Sequence, residues 1–316
     1  MTSKRNSALD VLKCVAAFFV VTIHYNHVSG FYGDIYTRMV FAIVETAVPI
    51  FFIITGFYLP VLIERNRVQS HIVKILRMAL ASSIFYFFVY LCDASVRGNA
   101  KEWLSSHYTL GSLCMWLTGQ DDPAAYHLWY FYCLLWTLAL CGFVVHRWGY
   151  KILYAISLLA ITYSFSGIGS FACYTTSFPC IAVGCILNQL NKKHSLCAGW
   201  IIIVCLVSAG GLLAEAYFQI ELFAHNLLRI SCAAALVSFG VMNPHAGTGS
   251  TTAKIGLKYS AYVYIFHVYV NYLLNFIITY NTTLLQVLRP WIVFVITLVL
   301  VVLFCRIKKR IILHAS

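Results

Sequence analysis

The sequence predicts an all-α integral membrane protein, a single bundle over residues 1–316 of about ten transmembrane helices with both termini cytoplasmic. Three observations carry this expectation. The chain is 61% hydrophobic and only 10% charged, and its mean hydropathy of +0.81 is more apolar than a water-exposed surface allows. Apolar runs recur from end to end, each near the roughly 20 helical residues needed to cross a hydrocarbon core of about 30 Å. Basic residues gather in alternate loops, as the positive-inside rule requires.

The first run, 8–28, includes LDVLKCVAAFFVVTIHYNH at 9–27. Lys4 and Arg5 precede it as they would in a signal peptide, but no small-residue cleavage pattern follows and His24 interrupts the place where one would lie. The segment is therefore expected to be retained. Further runs fall at 38–62, 72–92, 126–146, 152–168, 171–190, 197–217, 226–243, 259–281 and 289–306. The fifth and sixth meet at the turn SGIGS, residues 166–170. An alternating path places RNRVQSHIVKILR (65–77), Arg147, Lys151, Lys192, Lys193, Lys254, Lys258 and RIKKR (306–310) on one side. Arg38, Arg97, Lys101, Arg229 and Arg289 fall near the other. This sorting puts both termini in the cytoplasm and accounts for the net charge of +12 by topology, not by a nucleic-acid surface. The longest outer loop, about 93–125, carries DDPAAYH and is too short for a second domain. The 12 cysteines form no C-x-x-C pair and no His/Cys cluster, so they read as small hydrophobes, with few or no disulfides and no metal site expected.

Ionisable residues inside spans are costly unless they face a cavity or a partner, so each invites a functional reading. Lys13 and His24 lie on one helix; eleven residue steps bring them to the same face about 16 Å apart along the axis. A neutral imidazole can take a proton from a hydroxyl at physiological pH, which makes His24 a candidate general base, the alternative being a histidine hydrogen-bonded between helices. Lys13 either snorkels to the interface or binds a ligand. Glu45 lies beside Thr46 and just before Pro49, where a proline can open the backbone; it could orient His24, bind an acceptor or make a structural hydrogen bond. Asp10 is expected to pair with Lys13 or Arg77. Lys74 and Arg77, one turn apart after Arg65 and Arg67, could receive a phosphate-bearing ligand or simply set topology. His127, Trp129 and Tyr130 open the fourth run in HLWYFY, where aromatic residues commonly anchor an interface. Ser260, Tyr264 and His267 lie at helical spacing in KYSAYVYIFH, a packed polar seam or part of a site.

Taken together, these stretches resemble the acyltransferase-3 family of integral membrane acyltransferases. LDVLKCVAAFFVVTIH looks like that family's opening helix, with Leu-Asp, a basic residue, and a histidine after ten intervening positions. VPIFFIITGF (48–57) is similar to its Phe-Phe-x-x-Ser-Gly segment, HLWYFY (127–132) to its His/Leu-Trp-Phe segment, and KYSAYVYIFH (258–267) to its Ser-Tyr-x-x-Tyr-x-x-His segment, in family order over nearly the whole chain. The resemblance implies an O-acyltransferase of the bacterial inner membrane. It would move an acyl group, commonly acetyl from acetyl-CoA on the cytoplasmic side, to a hydroxyl of a cell-surface glycan or lipid-linked sugar, with membrane lipid around it and no metal or nucleic acid. Carried onto matching positions, it makes His24 the catalytic histidine and Lys13 its basic partner. The reading of the residues themselves adds Glu45 as a second catalytic candidate, Lys74 and Arg77 with Lys13 as donor-binding cations, and His127, Trp129, Tyr264 and His267 as acceptor-binding candidates. The chain departs from the family pattern at Lys13, where Arg is usual, at Thr55, where Ser is usual, and in lacking a proline after Lys74 and Arg77. A transporter or flippase of a polar or glycan substrate is the rival reading, since intramembrane charges also line transport pathways.

Overall fold

The computed structural model describes residues 5–164, 172–220 and 224–315; Lys4, the SGIGS turn and part of the 218–225 loop lie outside the described residues. Among these residues the chain is all-helical. The helices are α1 (Ser7–Tyr25), α2 (Phe31–Val44), α3 (Ala47–Glu64), α4 (Val68–Val96), α5 (Ala100–His107), α6 (Leu110–Leu117) and α7 (Trp129–Trp148), the last entered through a 3-10 turn at Tyr126–Leu128. They continue as α8 (Tyr150–Ser164), α9 (Ala172–Lys192), α10 (Ala198–Phe218), α11 (His225–Met242), α12 (Thr251–Lys258), α13 (Ser260–Leu274) and α14 (Thr283–Ala315).

Among the described residues, seven helical stretches are long and apolar enough to cross a membrane. The other predicted runs are helical but fall short of that standard for identifiable reasons. Helix α13 has 15 residues, α8 is described over 15 residues up to the undescribed segment 165–171, and α9 carries Thr175, Thr176, Ser177, Asn188 and Gln189. The second run is divided: α2 stops before Glu45 and α3 restarts at Ala47. Pro49 has no N–H to offer the Glu45 carbonyl, and Thr46 turns its hydroxyl back to the Ile43 carbonyl at 2.7 Å. The outer segment read as a loop contains α5 and α6, the latter capped by Thr109, whose hydroxyl accepts the Ser112 amide at 3.1 Å. All 12 cysteines are free.

The chain divides into two compact units, Met1–Phe51 with Leu190–Ser316, and Phe52–Gln189. In the first, α1 is the central helix, packed against α2, α11, α12, α13 and α14. Asn6 starts it by accepting the Leu9 amide at 3.0 Å. Its apolar face, Ala17, Val21 and Tyr25, closes on Val263, Val270 and Leu274 of α13 and Val293 of α14. Gly256 lets α12 lie directly on α1, since a Cβ there would collide with the Asp10 carbonyl. In the second unit α7 packs against α4, α6 and α8, while α3 and α9 meet through Gly56 and Gly184, where any Cβ would strike the facing backbone. Asn188 donates to the Phe57 carbonyl at 2.9 Å across that contact.

Candidate functional site

Helix α1 runs unbroken from Ser7 to Tyr25, so Lys13 and His24 keep the common face that their spacing predicts. At the cytoplasmic end expected from the charge pattern, Asp10 is buried and bridges two cations: Arg5 Nε lies 2.6 Å from Oδ2 and Lys13 Nζ 3.3 Å from Oδ1. Of the two pairings open to Asp10, it makes the one with Lys13.

His24 occupies the last turn of α1 and is half-buried. Its ring meets that of His267 on α13, with centroids 5.2 Å apart and planes inclined by 30°. Two histidines from opposite ends of the chain thus come together over the apolar seam of α1, α13 and α14. His267 is fully buried. Its Nδ1 lies 2.7 Å from the Tyr264 carbonyl, an acceptor only, so Nδ1 carries a proton and the ring is oriented by that bond. The Tyr264 ring lies 6.1 Å from that of His267 and is itself buried.

A cation not singled out by sequence completes this region. Arg289 of α14 donates from Nε to Asn271 Oδ1 at 3.1 Å and from Nη2 to Asn275 Oδ1 at 3.2 Å. Its guanidinium lies 5.2 Å from the Tyr25 ring centroid and 4.5 Å from that of Tyr280. Asn271 stands one helical turn beyond His267; that spacing, together with Arg289 in an apolar run, was the signal available in the sequence.

Glu45 lies in the same unit, engaged elsewhere than with the histidine pair. Its Oε2 is 3.0 Å from His225 Nε2 and 3.8 Å from Arg229 Nη1. The other ring nitrogen of His225, Nδ1, lies 2.6 Å from Glu215 Oε2, and the Glu215 side chain is only 6% exposed. Sequence reading named Glu45 and missed its partners. Glu215 sits in an apolar run and His225 opens another, which marked both as costly residues needing a reason.

The remaining candidates belong to the second unit. Lys74 and Arg77 are exposed on α4. Thr55 is hydrogen-bonded to the buried Tyr130. His127 is buried in the 3-10 turn, its ring edge-on to Tyr86 with centroids 4.9 Å apart, while Trp129 is half-buried at the start of α7. Nearby, Asp122 accepts from Ser83 Oγ at 2.5 Å and from the Ala124 and Ala125 amides at 2.8 and 3.0 Å. Ser83 also meets the Tyr132 hydroxyl at 2.7 Å. Burial pushes the Asp122 carboxyl above its ordinary range despite these bonds, and burial with the Asp122 charge pushes the Tyr108 hydroxyl up to about 12. A recess of about 370 Å³ opens here, lined by Tyr90, Trp103, His107, Asp121, Asp122 and Tyr126.

A family model described as an acyltransferase domain, that of the acyltransferase-3 family, matches residues 6–308. An amino-acid racemase of Enterococcus faecalis is 27% identical over 163 residues, which is 48% of this chain and 21% of that protein. The chain thus spans about a fifth of that relative's length. No solved structure matches the chain.

Proposed function

We propose, from the premise that this chain belongs to the acyltransferase-3 family, that it is an O-acyltransferase of the bacterial inner membrane. It transfers acetyl from acetyl-CoA to a hydroxyl of a cell-surface glycan or lipid-linked sugar. About ten helices cross the membrane in this reading, with both termini cytoplasmic. The observation that carries it is the ring contact between His24 and His267, which joins two of the segments that resemble the family and sets an oriented imidazole beside the proposed base.

The anionic CoA binds at the cytoplasmic mouth with Lys13 of α1 as its cation, and the thioester reaches up toward His24; Lys74 and Arg77 of α4 are further donor-binding candidates in the other unit. His24 takes the proton of the acceptor hydroxyl as its oxygen attacks the thioester carbonyl; the C–S bond breaks, and the CoA thiolate leaves and is protonated in turn. His267 orients His24 and Tyr264 meets the acceptor; His127 and Trp129 are acceptor-binding candidates in the other unit. Glu45 serves at one remove, through its network with His225. Incubating the purified protein with radiolabelled acetyl-CoA, with and without bacterial surface glycans, tests this. Acceptor-dependent CoA release and label transfer are expected. Movement of a glycan across proteoliposomes without CoA consumption overturns it in favour of transport.

A further inference from the structure

The cavity beside Glu45 raises a separate question of charge. It has a volume of about 400 Å³ and lies among α2, α10 and α11, with Arg38, Glu45, Glu215 and His225 on its wall. The two hydrogen bonds that His225 makes, to Glu45 and to Glu215, each need a proton. Either the imidazole carries both, or it carries one and a carboxylic acid supplies the other. The three groups together bear one negative charge in both cases. Arg229, facing Glu45, cancels it. Arg38 is left over.

Arg38 Nε is buried without a hydrogen-bond partner among the described residues, and no described carboxylate pairs with it, Asp34 one turn earlier on α2 included. An uncompensated cation in an apolar helical wall is costly. Besides Thr37 and Gln219, the rest of the wall is hydrocarbon, with Phe41 and Ala42 of α2, Leu212 and Ala216 of α10, and Ile220 just beyond. Beneath it Ala42, Leu212 and Cys232 pack together and hold the three helices in place.

We propose that this cavity is a binding site for a phosphate-headed lipid, its phosphate on Arg38 and its chain along Phe41, Leu212 and Ile220. A free inorganic anion would satisfy the guanidinium alone; a zwitterionic lipid would bring its own cation against Arg38. The two features of the wall, a positive charge with no partner among the described residues and an apolar strip, are met together by an anionic amphiphile. The site stands whether or not the chain transfers acetyl groups.

The test uses the full-length protein in detergent, delipidated and titrated with dioleoylphosphatidylglycerol, dioleoylphosphatidylcholine or inorganic phosphate, read by native mass spectrometry and thermal unfolding. Phosphatidylglycerol should bind and raise the melting temperature, while phosphatidylcholine and inorganic phosphate should not. Arg38→Met should lose about tenfold or more in phosphatidylglycerol affinity, the factor carried by a charge-assisted hydrogen bond, and Arg38→Lys should keep most of it. Equal response to both lipids overturns the proposal, even if Arg38→Met fails to fold. Response to inorganic phosphate alone overturns the lipid assignment, and an unchanged Arg38→Met removes Arg38 from the site.

Discussion

Replacing His24 by Ala separates packing from chemistry, because the two effects differ in size. The half-buried imidazole loses its ring contacts with His267 at 5.2 Å and Tyr25 at 6.1 Å, each aromatic pair contributing about 0.5–1.5 kcal/mol. A folded chain with a margin of about 5–15 kcal/mol survives that loss. A general base contributes roughly a hundredfold to ten-thousandfold in rate, or about 3–5 kcal/mol of barrier. His24→Ala should therefore melt within a few degrees of wild type while kcat falls by at least about a hundredfold. The assay is label transfer from acetyl-CoA in proteoliposomes, with unfolding followed in the same preparation. His267→Ala and the double variant extend the measurement. If the two rings act as one unit, the double variant should be little worse than His24→Ala alone. Activity of His24→Ala within about tenfold of wild type would refute the base assignment, and strictly multiplicative losses would refute the pair.

Other outcomes follow from the same geometry. His225→Ala removes the 2.6 Å bond to the buried Glu215 and should lower stability by about 1.5–3 kcal/mol, the range for hydrogen bonds to charged groups; His225→Gln should recover part of it, and equal melting of all three proteins would show that the network carries no stability. Gly56→Ala drives a methyl into the Ile181 backbone and should cost about 1–3 kcal/mol as α3 and α9 are pushed apart, measured by thermal unfolding. Asp122 binds its proton more tightly in the folded than in the unfolded chain, since burial raises it. Its stabilising contribution is thus complete below the unfolded value and lost as pH rises through the folded one. Asp122→Asn, which keeps an acceptor for the Ala124 and Ala125 amides, should flatten the decline in melting temperature over that interval; an unchanged slope would remove Asp122 as its cause.

Most of the helices were legible because burial in lipid demands long apolar runs, a signal that needs no partner to be read. What escaped depends on local backbone chemistry or on distant contacts. The interruption at Glu45 and Thr46 is hidden in a run whose hydropathy is continuous, and only Pro49 hinted at it. The short helices α5 and α6 sit in a polar segment without membrane-length periodicity. At the candidate site, His24 and His267 each stood out as an ionisable group in an apolar run, but their contact depends on α1 packing against α13, which no local pattern encodes. Asn271, Arg289 and Glu215 were visible by the same rule of cost; their partners could be assigned only once the helices were placed. Glu45 shows the opposite limit, a residue correctly flagged whose partners, His225 and Arg229, lie far along the sequence.

The two bonds on Asp10 are unequal, 2.6 Å to Arg5 and 3.3 Å to Lys13, and they fall on different oxygens. Lys13 can therefore swing away toward an incoming phosphate without stranding a bare carboxylate, because Arg5 stays behind as its companion. If Lys13 holds the donor as proposed, it is a loaned charge, shared between Asp10 and the incoming phosphate. Neutralising Asp10 should then make the lysine a stickier, slower-releasing contact.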